Sequence, residues 1–262
     1  MKKIWKYRFY YYLALPGLIY FIIFHYVPMG GALIAFKDIS PFDGLRGFFD
    51  APWVGFKHFE RFTSSVYFLD VIENTLIISG LKILFGFPAP IILALLLNEV
   101  LRMSLKRIMQ TISYLPHFIS WVVTAGMITA LLATSGGLLT ETINDFTGSN
   151  INFLGNKDYF VGILVTSHVW KTIGWSSIIY LAAMSSIDPA LYESARIDGA
   201  NRLQMAWQIT LPSIMFVIVI MFLLEIGNLL EAGFEQILLL YSPSVYKVAD
   251  IIDTVSYTHL TL

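Results

Sequence analysis

The chain contains the stretch DPALYESARIDGANRLQMAWQITLP, residues 188–212, whose order of residues predicts two short helices joined by a turn. Asp188 is a favourable N-cap, and the proline after it suits the first position of a helix. Gly199 supplies the left-handed residue that ends this helix, and Asn201 can cap the second one. The first helix and the turn carry small side chains that would let another protein approach closely, namely Ala190, Ser194, Ala195 and Ala200.

The composition around this stretch predicts a membrane protein. Of the 262 residues, 56% are hydrophobic and only 13% are charged, and the mean hydropathy is +0.69. Soluble domains carry about 25% charged residues, so a water-soluble surface could not be built here. A net charge of -1 gives no field that would attract nucleic acid. The absence of cysteine excludes disulfides, thiolate metal sites and cysteine nucleophiles.

Long apolar runs lie on both sides of the 188–212 stretch. Each can hold the roughly 20 residues that cross a bilayer, and in lipid such a run must be helical. The five predicted spans lie near 9–36, 74–98, 108–134, 159–187 and 205–230. The first could also be read as a signal peptide, but its apolar run is far longer than the roughly 7–15 residues of a signal-peptide core.

The placement of Lys and Arg predicts the orientation of these spans. Basic residues concentrate before the first span and in the links at 99–107 and 188–204, whereas the loops at 37–73 and 141–158 show no basic excess. Short cytoplasmic segments are enriched in Lys and Arg, so the N-terminus and the 188–210 loop are expected in the cytoplasm. The N-terminal basic residues are Lys2, Lys3, Lys6 and Arg8.

Three linked blocks within residues 188–212 carry a resemblance to a known family. Glu193-Ser-Ala195, Asp198-Gly-Ala200 and Ile209-Thr-Leu-Pro212 resemble the EAA loop of binding-protein-dependent ABC importer permeases, except that Ser194 stands where alanine is usual. Other blocks are similar to the carbohydrate branch of that family, and most of all to its polysaccharide-type permeases. These blocks are 36–38, 52–56, 85–99, 114–120 and 174–182.

The resemblance implies an all-α, polytopic helical bundle of the type I ABC importer permease kind, with six spans. It would be a multi-pass protein of a prokaryotic inner or plasma membrane. Besides the lipid bilayer, its partners would be a second permease subunit, a dimer of ATP-binding cassette ATPases and an extracellular solute-binding protein, and its solute a sugar or oligosaccharide. In the family, the position of Glu193 faces a basic residue of the ATPase. The residues that the resemblance assigns to ATPase coupling are Glu193, Ala195, Asp198, Gly199 and Ala200.

The family's chain continues beyond the stretch that matches 249–254 into a sixth span, whereas this sequence stops after five. Residues 1–254 are therefore expected to be a C-terminally truncated permease domain, and 255–262 a non-native tail. The alternative is a genuine five-span variant. No Gly-x-x-x-x-Gly-Lys-Ser/Thr sequence is present, so the energy for transport must come from partner chains and the chain itself is not expected to be an enzyme.

Polar residues inside the spans are the candidates for a solute pathway. His168, Lys171 and Trp175 stand at i, i+3 and i+7 and form one stripe of the fourth span. A charge as deep as that of Lys171 needs a polar cavity or a partner. The alternative is that Lys171 pairs structurally with an acid or a carbonyl of a neighbouring helix. Glu225 and Asn228, near the outer end of the fifth span, form a second candidate pair.

Lys82 lies only about 12 Å from an end of its span and is expected to extend its ammonium toward the interface rather than to act. No His/Asp/Glu cluster has the spacing of a metal site, and no nucleophile stands beside a base, so no cofactor or catalytic residue is expected. A secondary transporter, or another polytopic membrane protein without ATPase partners, shares the hydrophobicity. Neither alternative accounts for the loop at 188–212.

Overall fold

A computed structural model describes residues 7–39, 44–149 and 151–260. The basic residues Lys2, Lys3 and Lys6, and the last two residues of the expected tail, lie outside these ranges. Within them the secondary structure is helical, and no strand forms beyond one isolated bridge between Lys37 and Trp53. The expected all-α fold is therefore confirmed.

The chain divides into two compact units, Met1–Phe68 and Leu69–Leu262. The first unit contains α1 (Arg8–Phe36), α2 (Gly44–Asp50) and α3 (Lys57–Thr63). Helix α1 is long and apolar enough to cross a membrane, and none of its side chains is buried. Such a helix is stable only where lipid or another subunit covers its apolar side chains.

The second unit holds the remaining helices. They are α4 (Phe68–Asn98), α5 (Met103–Phe118), α6 (Trp121–Leu132), α7 (Leu138–Thr147), α8 (Lys157–Met184), α9 (Pro189–Ile197), α10 (Arg202–Gly227), α11 (Phe234–Leu240), α12 (Tyr246–Ala249) and α13 (Ile252–Leu260). Helix α8 contributes to both hydrophobic cores of this unit.

One core joins α4, α6 and α8 to the C-terminal segment, and its fully buried side chains include Ile78, Phe160, Leu164 and Ile237. The other core joins α4, α8 and α10 around Ala94, Tyr180, Met184 and Ile214. The polar cavity described below lies among α4, α8 and α10, the helices that share this second core.

Helix α8 packs against α5 at a glycine. A Cβ atom added at Gly174 would overlap the backbone carbonyl of Ser113, so only glycine permits this approach. The same helix passes close to α4, where a Cβ on Gly86 would touch the His168 ring at 3.5 Å. These contacts fix which faces of α8 point toward its neighbours.

Not every predicted span is a helix of membrane-spanning length and composition. By length and composition, three helices of the described residues qualify, namely α1, α4 and α10, and a fourth qualifies if α5 and α6 form one broken span. Helix α8 has 28 residues, which is long enough, but its composition does not qualify. Its polar side chains, including Ser167, Lys171 and Ser177, are buried against neighbouring helices, so they do not need the lipid-compatible surface that a hydropathy test measures.

The predicted span over 108–134 is broken in the structure. Helices α5 and α6 meet at an angle of 101°, with the break between Phe118 and Trp121. Pro116 lies in the last turn of α5, Ile119 is extended, and the Ser120 hydroxyl caps the new helix by accepting from the Val123 amide. Proline removes a helical hydrogen bond and often kinks a helix, but here the helix stops and restarts in another direction.

Candidate functional site: a polar cavity and a two-helix loop

The loop at 188–204 has the predicted local geometry. The Asp188 side chain accepts from the Ala190 amide, and proline occupies the first turn of α9. Gly199 has φ +78°, the left-handed conformation expected at the end of that helix. Asn201 begins α10 through a capping box in which its side chain and that of Gln204 each accept from the other's backbone amide.

Two contacts attach this loop to the bundle. The Tyr192 hydroxyl lies 2.9 Å from the Thr210 hydroxyl, which joins α9 to the fifth residue of a π-helical turn, Ala206–Thr210, within α10. Arg202 pairs with Glu99, which follows the last turn of α4, at 3.1 Å. Single π-helical turns within α-helices are frequent at functional sites. A displacement of α9 would therefore act on α10 at its π-helical turn.

The outer surface of the loop is open. Ile197 is 87% exposed, and Leu191 is also exposed. Of the five residues assigned to coupling, three are exposed and two are half-buried, and they all lie on the α9 side of the loop. The exposed residues are Glu193, Asp198 and Gly199, and the half-buried ones are Ala195 and Ala200. Exposed apolar side chains beside charged ones are typical of a protein-binding surface.

A polar cavity lies among α4, α8 and α10. Two hollows of about 130 Å³ and 210 Å³ share the side chains of His168 and Glu225. Asn228 lines the larger one, so the structure brings together three of the five predicted pathway residues. The smaller hollow is lined further along α8 by Thr172, Ser176 and Tyr180.

The polar stripe of α8 differs from the predicted one. His168, Thr172, Ser176 and Tyr180 follow one another at intervals of four residues, and all of them face the cavity. The sequence analysis missed the last three because it followed Lys171, the most conspicuous residue of the span. Four polar or aromatic residues at i, i+4, i+8 and i+12 were the available signal.

Lys171 and Trp175 do not belong to this cavity. The Lys171 ammonium is buried and donates to the backbone carbonyls of Pro116, His117 and Ile119 at the break between α5 and α6. Trp175 stacks on the His117 ring with the ring centroids 4.6 Å apart and the planes parallel. The structural alternative for Lys171, pairing with carbonyls of a neighbouring helix, is therefore the one that the structure shows.

The expectation for Lys82 is wrong. Its side chain is only 5% exposed, and its ammonium donates to the Ala232 carbonyl at 2.8 Å and to Gln236 Oε1 at 2.6 Å. The fully buried Gln236 amide in turn donates to the Leu164 carbonyl and to the Ser167 hydroxyl, both at 2.8 Å. Segment 232–240 covers Lys82 in the fold. The prediction used only the distance from Lys82 to the end of its own helix, and that distance does not show what other segments cover the side chain.

Lys82 also lines the larger hollow, beside Ser79 one turn earlier on α4. Ser79 is 4% exposed, and its hydroxyl has no hydrogen-bond partner among the residues that the structure describes. Buried hydroxyls are nearly always paired, so this one is available to a guest in the hollow.

A helical membrane bundle with a polar cavity inside and a capped two-helix loop at one end is typical of a membrane transport subunit, a permease. The chain belongs to the family of binding-protein-dependent transport system inner membrane components, whose sequence profile matches residues 86–257. The expected family and its permease function are thereby confirmed, and the protein is a multi-pass protein of the inner membrane.

Individual relatives cover nearly the whole chain. The polygalacturonan/rhamnogalacturonan transport system permease protein YteP of Bacillus subtilis is 47% identical over 98% of this chain and 79% of its own length. A bacterial ABC transporter involved in the import of the acidic polysaccharide alginate contains a chain with TM-score 0.90 and 44% identity, covering 100% of this chain and 86% of that one. A second structure, of the bacterial alginate transporter with an alginate pentasaccharide-bound periplasmic protein, gives TM-score 0.88 and 42% identity, covering 98% of this chain and 84% of that one.

Proposed function

We propose that this chain is one of two permease subunits of an ATP-driven importer for a carbohydrate, most simply an oligosaccharide. A solute-binding protein outside the cell would deliver the solute, and a pair of separate ATPase subunits in the cytoplasm would hydrolyse ATP. The support for the carbohydrate comes from relatives whose names specify polygalacturonan, rhamnogalacturonan and alginate. The support for the coupling mechanism comes from the loop at 188–204.

The observation that carries the proposal is the fixed and exposed geometry of that loop. Helix α9 is capped at its start, ended by a left-handed glycine and attached to α10 through Tyr192 and Thr210. It can therefore enter a groove of an ATPase subunit as a rigid body, with Ile197 as its apolar contact and Glu193 as its charged one. Closure of the ATPase pair would then displace α9, and α9 would move α10 by its contact at the π-helical turn. The cavity would switch between opening to one side of the membrane and opening to the other.

In this mechanism the solute passes along the cavity. His168, Thr172, Ser176, Glu225 and Asn228 offer hydrogen-bond donors and acceptors of the kind that sugar hydroxyls require. The aromatic rings of Phe87 and Tyr180, which line the smaller hollow, offer apolar faces to a sugar ring.

The orientation belongs to the proposal as well. The N-terminus and the 188–210 loop would face the cytoplasm, where the ATPases are, in agreement with the basic residues of the loop and of the 99–107 link. The loop at 141–158 would face the solute-binding protein.

Co-purification tests the proposal. The chain is expressed with an affinity tag together with candidate ATPase, partner permease and solute-binding proteins, and the complex is placed in nanodiscs. We expect all membrane subunits to co-purify, and the loaded binding protein to stimulate ATP hydrolysis several-fold. Tyr192→Phe, which removes one hydroxyl and leaves the fold intact, should lower this stimulation while the ATPases stay bound.

A chain that transports solute without any ATPase would instead support a secondary transporter. In that event the proposed function is wrong, even if the cavity binds the solute.

A further inference from the structure

Among the residues that the structure describes, the Lys82 ammonium of the larger hollow forms no ion pair. Its two hydrogen-bond acceptors, Ala232 and Gln236, are neutral. An ammonium has three N–H donors, so one of them has no acceptor among these bonds. This open N–H makes the position beside the ammonium a favourable place for a carboxylate oxygen.

Ser79 points to the same place independently. It lies three residues before Lys82, on the same face of α4, and its buried hydroxyl lacks a partner. Both side chains line a hollow of about 210 Å³, many times the roughly 10–15 Å³ that one water molecule needs. A carboxylate placed between them would accept one bond from the ammonium and one from the hydroxyl.

Other residues of the same hollow have the contrary character. Glu225, Asn228 and Glu231 also line the hollow and present oxygens that accept hydrogen bonds. A small inorganic anion would gain nothing from these carboxylates and would be repelled by them. A sugar ring that carries both a carboxylate and hydroxyl groups suits this lining, because its hydroxyls can donate to the glutamates while its carboxylate accepts from Lys82.

We infer that the Ser79–Lys82 corner of this cavity binds the carboxylate of a uronic acid unit, and that this corner makes the permease selective for acidic over neutral oligosaccharides. The inference rests on the proposed function and narrows its substrate class. Lys82 is then a specificity-determining residue, and the Gln236 network holds its ammonium toward the hollow.

Equilibrium binding tests the inference. The importer complex, purified through a tag on this chain and placed in nanodiscs without binding protein, is dialysed against labelled trigalacturonate and trimannuronate. Each acidic probe is compared with its carboxyl-reduced, neutral counterpart. We expect the wild-type complex to bind at least one acidic probe about 10-fold or more tightly than its neutral counterpart, the factor typical of one hydrogen bond to a charged group.

Two variants remove the corner in different ways. Lys82→Met removes the charge at similar length, and Ser79→Asp places a fixed carboxylate beside the ammonium and so occupies the corner from within. Both should bring the acid-to-neutral ratio to within about threefold of unity. Lys171→Met is the matched control, since it removes another buried lysine that lies outside the cavity, and its ratio should stay at the wild-type value.

An unchanged ratio in both variants, or a wild-type complex that binds neither acidic probe more tightly than the neutral ones, overturns the inference. If Lys82→Met fails to assemble, Ser79→Asp alone decides, because it leaves the lysine and its network in place. Failure of the proposed function is a separate observation, since it shows as a chain that co-purifies with no ATPase.

Discussion

Gly199 offers the clearest test of the loop because its effect can be isolated. Its φ of +78° lies in the left-handed region, while a Cβ added there would meet no atom within 4 Å. A substitution therefore costs only what the backbone conformation costs, with no steric clash. For alanine that cost is roughly 1–2 kcal/mol, which shifts the equilibrium between the native turn and its alternatives by about 5–30-fold.

A graded series follows from this reasoning. Asparagine tolerates the left-handed conformation and should be the mildest replacement, alanine intermediate, and valine the most damaging because its branched Cβ is least tolerant of positive φ. We expect solute-stimulated ATP hydrolysis, measured on the reconstituted complex, to fall in that order, while the thermal stability of the transmembrane bundle changes little. Gly80→Ala is the control, since Gly80 lies within a regular helix and its Cβ would also meet nothing.

A Gly199→Val complex that couples ATP hydrolysis to solute as well as wild type does would refute the role of this left-handed turn in coupling. Equal losses for asparagine and valine would also contradict it, because side-chain contact rather than backbone conformation would then be responsible.

Three further predictions concern packing and topology. Gly174→Ala should cost about 1–3 kcal/mol by forcing α8 away from α5, read as a lower unfolding temperature, whereas Gly162→Ala on the same helix, where a Cβ meets nothing, should not destabilise. Lys171→Met should lower the assembled yield, because each buried carbonyl left without a donor costs about 1–3 kcal/mol; uptake per assembled complex should stay normal, and a selective loss of uptake would contradict the structural role. A cysteine at position 145 should react with an impermeant thiol reagent added outside, while one at Ala190 should not, and the reverse result would invert the proposed topology.

The helix caps and the turn of the 188–204 loop could be predicted from the sequence, because each depends on residues close together in the chain. The N-cap at Asp188, the left-handed Gly199 and the capping box at Asn201 depend on residues within four positions of one another, and all three are present. The family followed from the same stretch, because its blocks have fixed residue types at fixed spacing. The helical class followed from length and apolar composition alone.

The packing of the spans could not be predicted in this way. The 101° break after Pro116 depends on Lys171 of another helix, and the burial of Lys82 depends on a segment 150 residues later. Periodicity assigned a polar face to α8 but could not rank Lys171 against Thr172 or Ser176, which lie on an adjacent face of the same helix. The neighbour that each face meets is a property of the whole bundle.

The lysine at the break also has a consequence for how the protein is made. The Ile119 carbonyl precedes Lys171 by 52 residues, so at about 5–20 residues per second a ribosome needs roughly 3–10 s to supply the ammonium that satisfies it. Inside hydrocarbon, a backbone carbonyl without a donor is costly. If this break lies within the bilayer, the segment around Pro116 would stay in contact with water or with the insertion machinery until α8 has been made. Helices α5 and α6 would then reach their final depth together with α8.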